Sequence, residues 1–406
     1  MILEFCLNNY LSIKNEMKIS FLATSLKENL PEQNDTVPLA DTGLSLLRSA
    51  VVYGANASGK SNVLKALAFF KRFITESFIN SQAGEGIDVE PFRLNSSSAQ
   101  EPTTMEATFT DGSFIYRYGF EITAKNVIAE WLYQRACKRR AKEVELFFRE
   151  NGKTSVHQQS DLIRELVAKK MIRDNALVLS TAAQFNDPKA VAILRWIADT
   201  HVIFCSEDEK LWQQAIRLLD DEGVRERITA FARYADLGIE EISKVDNRIV
   251  SRHRQYDDEG REVNNVAFSF RGNESEGTVK YFSLSFPIID ALDNGKRVII
   301  DELDSKLHPL LVRKIVTMFN SHETNPKGAQ LLFTAHDTFL LGAGLFRRDQ
   351  IWFTQKDSFG ATEAYSLAEF KVRSSSPFER DYLQGRYGAT PILGDFENIF
   401  TERITS

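Results

Sequence analysis

Twenty residues, VVYGANASGKSNVLKALAFF from Val51 to Phe70, leave few folds open to this chain. They carry G-x-x-x-x-G-K-[ST] as Gly54-Ala-Asn-Ala-Ser-Gly59-Lys60-Ser61, after an apolar run and before a helical pattern. In such a turn the backbone N–H groups curl around phosphate oxygens, and the following helix offers the positive end of its dipole. Gly54, Ser58 and Gly59 are therefore expected to cradle phosphates, Lys60 to reach the β and γ phosphates, and the Ser61 hydroxyl to ligate Mg²⁺. ATP with Mg²⁺ is the expected ligand. A strand that feeds this loop and a helix that leaves it belong to an α/β sheet.

The chain of 406 residues, 43% hydrophobic and 26% charged, is long enough for one large domain with an insertion or for two ordinary domains. Its 50 Lys plus Arg against 56 Asp plus Glu give a net charge of -6, so no global positive field draws it to nucleic acid. Any such contact must be local. Cys6, Cys137 and Cys205 lie far apart without C-x-x-C spacing, which argues against a zinc site or a disulfide framework and suits a reducing cytoplasm. The start MILEFCLNNYLSIKNEMKISF lacks the basic and apolar regions of a signal peptide, and no apolar run reaches membrane-spanning length.

Along the chain, ILEFCLNNYLSIKNEMKISFLA reads as two strands around a polar turn, and Leu46 to Tyr53 as a buried strand entering the glycine loop. A helix follows from about Ser61 to Ser77. MEATFTDGSFIYRYGFEI reads as a hairpin turning at Asp111-Gly112, with further strands in VIAEWLYQR and EVELFFRENG. Helical periodicity then takes over, broken by the expected short strands NALVLS and HVIFC, before pairing resumes around the DDEG turn. Three parts are expected: residues 1–183 with the phosphate loop and a β-rich subdomain, a helical lobe over 184–238, and residues 239–406 completing the head.

RVIIDELDSKLHP, Arg297 to Pro309, places Asp301 and Glu302 at the end of an apolar strand. There an aspartate can hold Mg²⁺ and a neighbouring glutamate can polarise the attacking water. Upstream, Ser275, Gly277 and Thr278 form a polar turn before a helix, which alone is also an ordinary cap. Downstream, QLLFTAHDTFLL carries His336 at another strand end.

The order glycine loop, Ser-Glu-Gly-Thr turn, Asp-Glu strand end and His strand end is that of ABC-type ATPase heads. GANASGKSNVLKAL, ESEGTVKYFSL, VIIDELDSKLHP and FTAHDTFLL resemble the RecF/SMC branch of these ATPases. Within that branch they look most like the stand-alone ATPases of abortive-infection and phage-defence operons, of the PARIS and Rlo types. Asn56 and Asn62 around the loop and the late RDYLQGRYGATPIL match the same group. The resemblance implies an α/β P-loop ABC-type ATPase head with an N-terminal β-rich subdomain and an inserted helical lobe. It implies ATP hydrolysis with Glu302 as catalytic carboxylate, Asp301 as metal aspartate and His336 as the switch histidine, and Asn56 and Asn62 beside the nucleotide. By the same resemblance, Ser275 and Gly277 would touch the γ-phosphate held by a second copy in an ATP-sandwiched dimer. A glutamine ligand of Mg²⁺ and water is also implied; Gln184 is the candidate, with Gln134 competing.

Three departures stand out. Ser-Glu-Gly-Thr replaces the transporter-type signature, Pro287 falls inside the following helix and is expected to bend it, and His308 stands where many heads carry an interface aspartate, a role open to Asp304. The chain has no D-x-D for a Toprim nuclease, no histidine cluster, and no heptads for a coiled-coil arm. The expected partner is thus a separate effector, a nuclease or toxin, with a RecF-like clamp on DNA ends as the alternative. Two basic stretches, RACKRRAK (135–142) and SRHRQ (251–255), leave a local DNA contact open.

Overall fold

A computed structural model describes residues 1–28, 36–79, 82, 84–158, 160–234, 238–246 and 248–391. In chain order, β1 (Ile2–Asn8) and β2 (Met17–Ser20) open a large antiparallel sheet, β3 (Val37–Leu39) and β4 (Leu44–Leu46) form a small ribbon, and β5 (Ser49–Gly54) leads into α1 (Lys60–Glu76). The large sheet is completed by β6 (Thr103–Thr110), β7 (Phe114–Ile122), β8 (Val127–Ala136), β9 (Val144–Glu150) and β10 (Lys153–Val156), in the order β10-β9-β8-β7-β6-β1-β2. Next come α2 (Asp161–Ala168), α3 (Val178–Gln184), α4 (Pro188–Ala198), β11 (Thr200–Ile203), α5 (Asp208–Leu218) and α6 (Glu222–Tyr234). A three-stranded sheet of β12 (Glu241–Val245), β13 (Arg248–Tyr256) and β14 (Glu262–Ser269) precedes α7 (Phe270–Asn273) and α8 (Glu276–Asn294). The chain then alternates β15 (Arg297–Ile300), α9 (Pro309–Asn320), β16 (Gln330–Thr334), α10 (Phe339–Gly342), β17 (Ile351–Lys356), β18 (Thr362–Ser366) and α11 (Phe378–Leu383).

The central sheet runs β11-β15-β16-β5-β17-β18, parallel except for the β17–β18 hairpin. Its inner strands β5, β15 and β16 are buried along their whole length, as parallel strands covered on both faces must be. Alternation along β5 divides the core: Val52 faces one cluster, with Ile299, Leu332 and Trp352, while Val51 and Tyr53 face another, with Val298, Ile300 and Phe333. α1 lies between the two sheets. Its Phe70 stacks on Phe120 with ring centroids 5.4 Å apart and meets Phe5 edge-on at 5.5 Å, so the antiparallel sheet is pinned to the helix that leaves the glycine loop.

The α/β architecture and the β-rich subdomain are as the sequence implies; the helical boundaries differ. NALVLS does not form a strand: α3 starts at Val178. A short apolar run has no decisive period, and here the buried Glu130 carboxylate decides by accepting the N–H groups of Val178 (2.6 Å) and Leu179 (3.0 Å) and the Tyr118 hydroxyl (2.9 Å). Glu130→Ala would strand these three donors in the interior and is expected to cost about 3 kcal/mol or more, read as a lower urea midpoint at unchanged slope. The lobe is also smaller than 184–238. α4 packs into the core beside α1, and β11 belongs to the central sheet. Only α5 and α6 form a separate cluster, with β12, β13, α7 and α8. α8 continues through Pro287. Among the described residues the longest helix has 19 residues, too short for a coiled-coil arm, and no helix is long and apolar enough to cross a membrane.

Candidate nucleotide site

The glycine loop bridges the C-terminal end of β5 and the first turn of α1. Two of its positions demand glycine. A Cβ on Gly54 would collide with Thr354 and lie 2.5 Å from the Ser58 hydroxyl; one on Gly59, whose φ of 106° is left-handed, would lie 2.6 Å from Thr362 Cγ2. The same neighbours brace the loop. Ser58 Oγ is 2.7 Å from Thr354 Oγ1, and Thr362 Oγ1 donates to Ser58 O at 2.9 Å. Ser12, between β1 and β2, lies 2.7 Å from Thr362 Oγ1 and accepts from Asn62 Nδ2 at 2.7 Å. Lys60 is buried, and its ammonium donates to Gly54 O at 2.8 Å and Ala55 O at 3.1 Å. Burial lowers the Lys60 pKa, with the Glu302, Asp301 and Asp304 carboxylates acting in the opposite sense.

The acidic pair comes from β15, two strands away. Asp301 Oδ1 accepts from Ser61 Oγ at 3.1 Å and from Thr334 Oγ1, on β16, at 2.8 Å. A serine hydroxyl beside a carboxylate is a hard oxygen pair, the donor chemistry Mg²⁺ takes when phosphate and water oxygens complete its octahedron. Glu302 has a left-handed φ of 51°, unusual for a residue with a side chain. That strain is held from both sides: its N–H donates to Thr334 Oγ1 at 2.7 Å and its C=O accepts from Lys280 Nζ at 2.8 Å. The turn aims the carboxylate at His336, whose Nε2 is 3.3 Å from Glu302 Oε1. Loop and acidic end face one another across an open cleft of about 810 Å³, lined by Asn56, Lys60, Ser61, Glu302, His336 and Lys356 among others.

A family model described as "AAA domain, putative AbiEii toxin, Type IV TA system" matches residues 49–342, from the first residue of β5 to the last of α10. The chain belongs to this AAA family. No curated protein matches it. Among solved structures, cbiO1 from Clostridium perfringens, part of the ABC transporter complex cbiONQ, is similar at 9% identity over 91% of this chain and 90% of its own, with a TM-score of 0.34. The recombination mediator protein RecF of the RecFOR pathway, in its ATP form, is similar at 12% identity over 90% and 97%, with a TM-score of 0.27. At these identities and scores the likeness adds nothing to the family match, which alone makes the chain an AAA domain.

Not every residue singled out in the sequence reaches the cleft of this AAA domain. Gln184 ends α3, whose Ser180 Oγ donates to Ile74 O at 2.5 Å, and its neighbour Phe185 meets Phe78 edge-on. Both contacts are at the far end of α1, where Ile74 lies 13 helical residues past Ser61, roughly 20 Å away, so Gln184 is no ligand of a metal held there. Gln134 accepts from Lys189 Nζ at the start of α4 and does not line the cleft either. The place beside Asp301 belongs to Cys205, after β11, with Sγ 3.4 Å from Asp301 O and 3.6 Å from Glu302 Oε2. Burial pushes its thiol up to about 11, so it stands neutral. The Ser58 hydroxyl and the Asn62 amide are engaged with Thr354 and Ser12 and serve to shape the loop.

Ser275 and Gly277 also lie outside their own cleft. Ser275 is an exposed N-cap of α8 that accepts from Thr278 N at 3.1 Å, and Gly277 is pressed against Lys306 O, which a Cβ would meet at 2.6 Å. His308 caps α9 through Nδ1, and Asp304 turns inward, accepting from the N–H groups of His336 (2.7 Å) and Asp337 (2.6 Å). Sequence reasoning missed Thr334, Lys280, Cys205 and Lys356. Thr334 and Cys205 carried a signal, each being the polar residue that ends an apolar strand run; Lys280 and Lys356 carried none.

Proposed function

We propose that this AAA domain is a slow, regulatory cytoplasmic ATPase whose ATP-bound copies pair and thereby hold or release a separate effector, a nuclease or an RNA-targeting toxin, in antiphage defence. The observation that supports this best is the convergence of Lys60, Ser61, Glu302 and His336 on one cleft from three separate segments, with Asp301 bonded to Ser61 beside it. In this reading Lys60 and the loop N–H groups hold the phosphates, Glu302 orients the attacking water and accepts its proton, and His336 reports on the γ-phosphate. Ser61 and Asp301 would hold Mg²⁺, which would supply charge neutralisation to the phosphates. The exposure of Ser275, outside its own cleft, suits a contact made across a pair of copies. The family description points to toxin systems and so supports the defence role.

One observation favours the second reading, a RecF-like clamp on DNA. Lys138, Arg139, Arg140 and Lys142 are exposed at the β8–β9 turn and form no ion pair among the described residues. The SRHRQ stretch, in contrast, is neutralised: Arg252 pairs with Glu241, His253 with Glu274 and Arg254 with Glu240. Binding of duplex DNA by the purified ATP-loaded protein, measured between about 50 and 200 mM salt, separates the readings. The effector account predicts weak binding, with a stoichiometric nuclease or toxin co-purifying from the native host. Tight, steeply salt-dependent binding without such a partner would move the function to repair.

A further inference from the structure

The strand end that carries His336 is followed by α10, a helix of four residues that cannot fix its own position. What fixes it is α11, in the late FERDYLQGRYGATP stretch that the nucleotide site leaves unexplained. Glu379 of α11 grips α10 at both ends. Its Oε1 accepts from Thr338 Oγ1 at 3.0 Å, and its Oε2 lies so close to Gly342 that any Cβ there would collide with it. Leu340 and Leu341 bury their side chains in the same cluster as Phe378 and Tyr382, and Tyr382 stacks on Phe353 of the central sheet at 5.3 Å. On the near side, Asp304 holds the N–H groups of His336 and Asp337, and the Asp337 carboxylate accepts from Phe339 N at 2.8 Å. The four residues from His336 to Phe339 are thus tied at one end to the turn that carries Glu302 and at the other to α11. Ile392 and Leu393, which end the late motif, lie outside the described residues.

We propose that Glu379 is a positioning residue for ATP hydrolysis, setting the reach of His336 toward Glu302 and the γ-phosphate through Thr338, so that α11 governs turnover without touching nucleotide. The proposal rests on the reading of Glu302 and His336 given above. The carboxylate has no path to the cleft of its own: Glu379 is not among the lining residues, and its hydroxyl partner is two residues past the histidine. A displacement of about 1 Å at a catalytic group can cost up to 100-fold in rate, so one hydrogen bond at this lever is enough to matter.

The test is steady-state ATP turnover and fluorescent-ATP affinity of the full chain carrying Glu379→Ala, Glu379→Gln, Thr338→Val or Thr338→Ser, alone and with His336→Ala. Glu379→Ala and Thr338→Val are expected to lower kcat about 10-fold with KM and nucleotide affinity within about two-fold, while Glu379→Gln and Thr338→Ser, which keep an acceptor and a donor, stay within about three-fold of the parent. With His336→Ala in place, Glu379→Ala should add little, because both changes remove the same function. Thr338→Val, which keeps side-chain volume, covers the case in which Glu379→Ala unfolds. A parental kcat for both Glu379→Ala and Thr338→Val, or a full further loss on top of His336→Ala, overturns the proposal while the site stands. An unaffected His336→Ala enzyme overturns the site reading and the proposal with it.

Discussion

Glu302→Gln is expected to lower ATP turnover about 1,000-fold while leaving ATP affinity within about two-fold. General-base catalysis contributes roughly 100- to 10,000-fold, and a thousandfold loss corresponds to about 4 kcal/mol of lost transition-state stabilisation. Binding should survive because in the proposed site the phosphates would be held elsewhere, by the loop and Lys60, with Ser61 and Asp301 left for the metal. The exchange of one carboxylate oxygen for an amide nitrogen also keeps the backbone ties of the strained turn, since Thr334 Oγ1 and Lys280 Nζ bond its N–H and C=O. Two side chains would sense the change, His336 at 3.3 Å from Oε1 and Cys205 with Sγ 3.6 Å from Oε2. Single-turnover hydrolysis of labelled ATP checks the chemical step; turnover at the parental rate would move the base to another residue.

Lys60→Ala carries the second large effect, a fall in ATP affinity of about 100-fold, near 3 kcal/mol. The ammonium is buried and spends its hydrogen bonds on two loop carbonyls, so it both shapes the cradle and supplies its fixed positive charge. Burial already disfavours its charged form, and an incoming triphosphate, carrying the opposite sign, reverses that penalty. Titration with a fluorescent ATP analogue measures the loss, and a urea melt of the variant separates it from unfolding. Affinity retained within a few-fold would contradict the account of the loop.

The local chemistry was legible in the sequence wherever one short segment supplies it. The glycine loop, its strand and its helix occupy consecutive residues, and Asp301 and Glu302 directly follow a four-residue strand whose apolar run announces them. The antiparallel hairpins of the β-rich subdomain were visible for the same reason, period-two alternation closed by Asp-Gly. What escaped depends on pairing between distant elements. Gln184 was drawn to the site by chain order, yet α3 docks on the wrong end of α1 because Glu130, 48 residues upstream of Val178, caps its N-terminus. That same cap turned an expected strand into a helix. Cys205 stands beside Asp301 because β11 pairs with β15 in parallel, a neighbour relation across almost a hundred residues that no local pattern encodes. Glu302 acquires its left-handed backbone from Thr334 and Lys280, and nothing in the letters Asp-Glu announces that strain.

The loop, Glu302 and His336 line a cleft that the Ser275 turn of the same copy does not reach, so the proposed function requires a second copy at the moment ATP is held. Light scattering of the Glu302→Gln protein, with and without ATP and Mg²⁺, measures this directly. The account predicts a monomer mass near 46.2 kDa without nucleotide and twice that mass with ATP, the pairing lost when Ser275→Arg is added. An unchanged monomer in saturating ATP, with nucleotide bound, would contradict it.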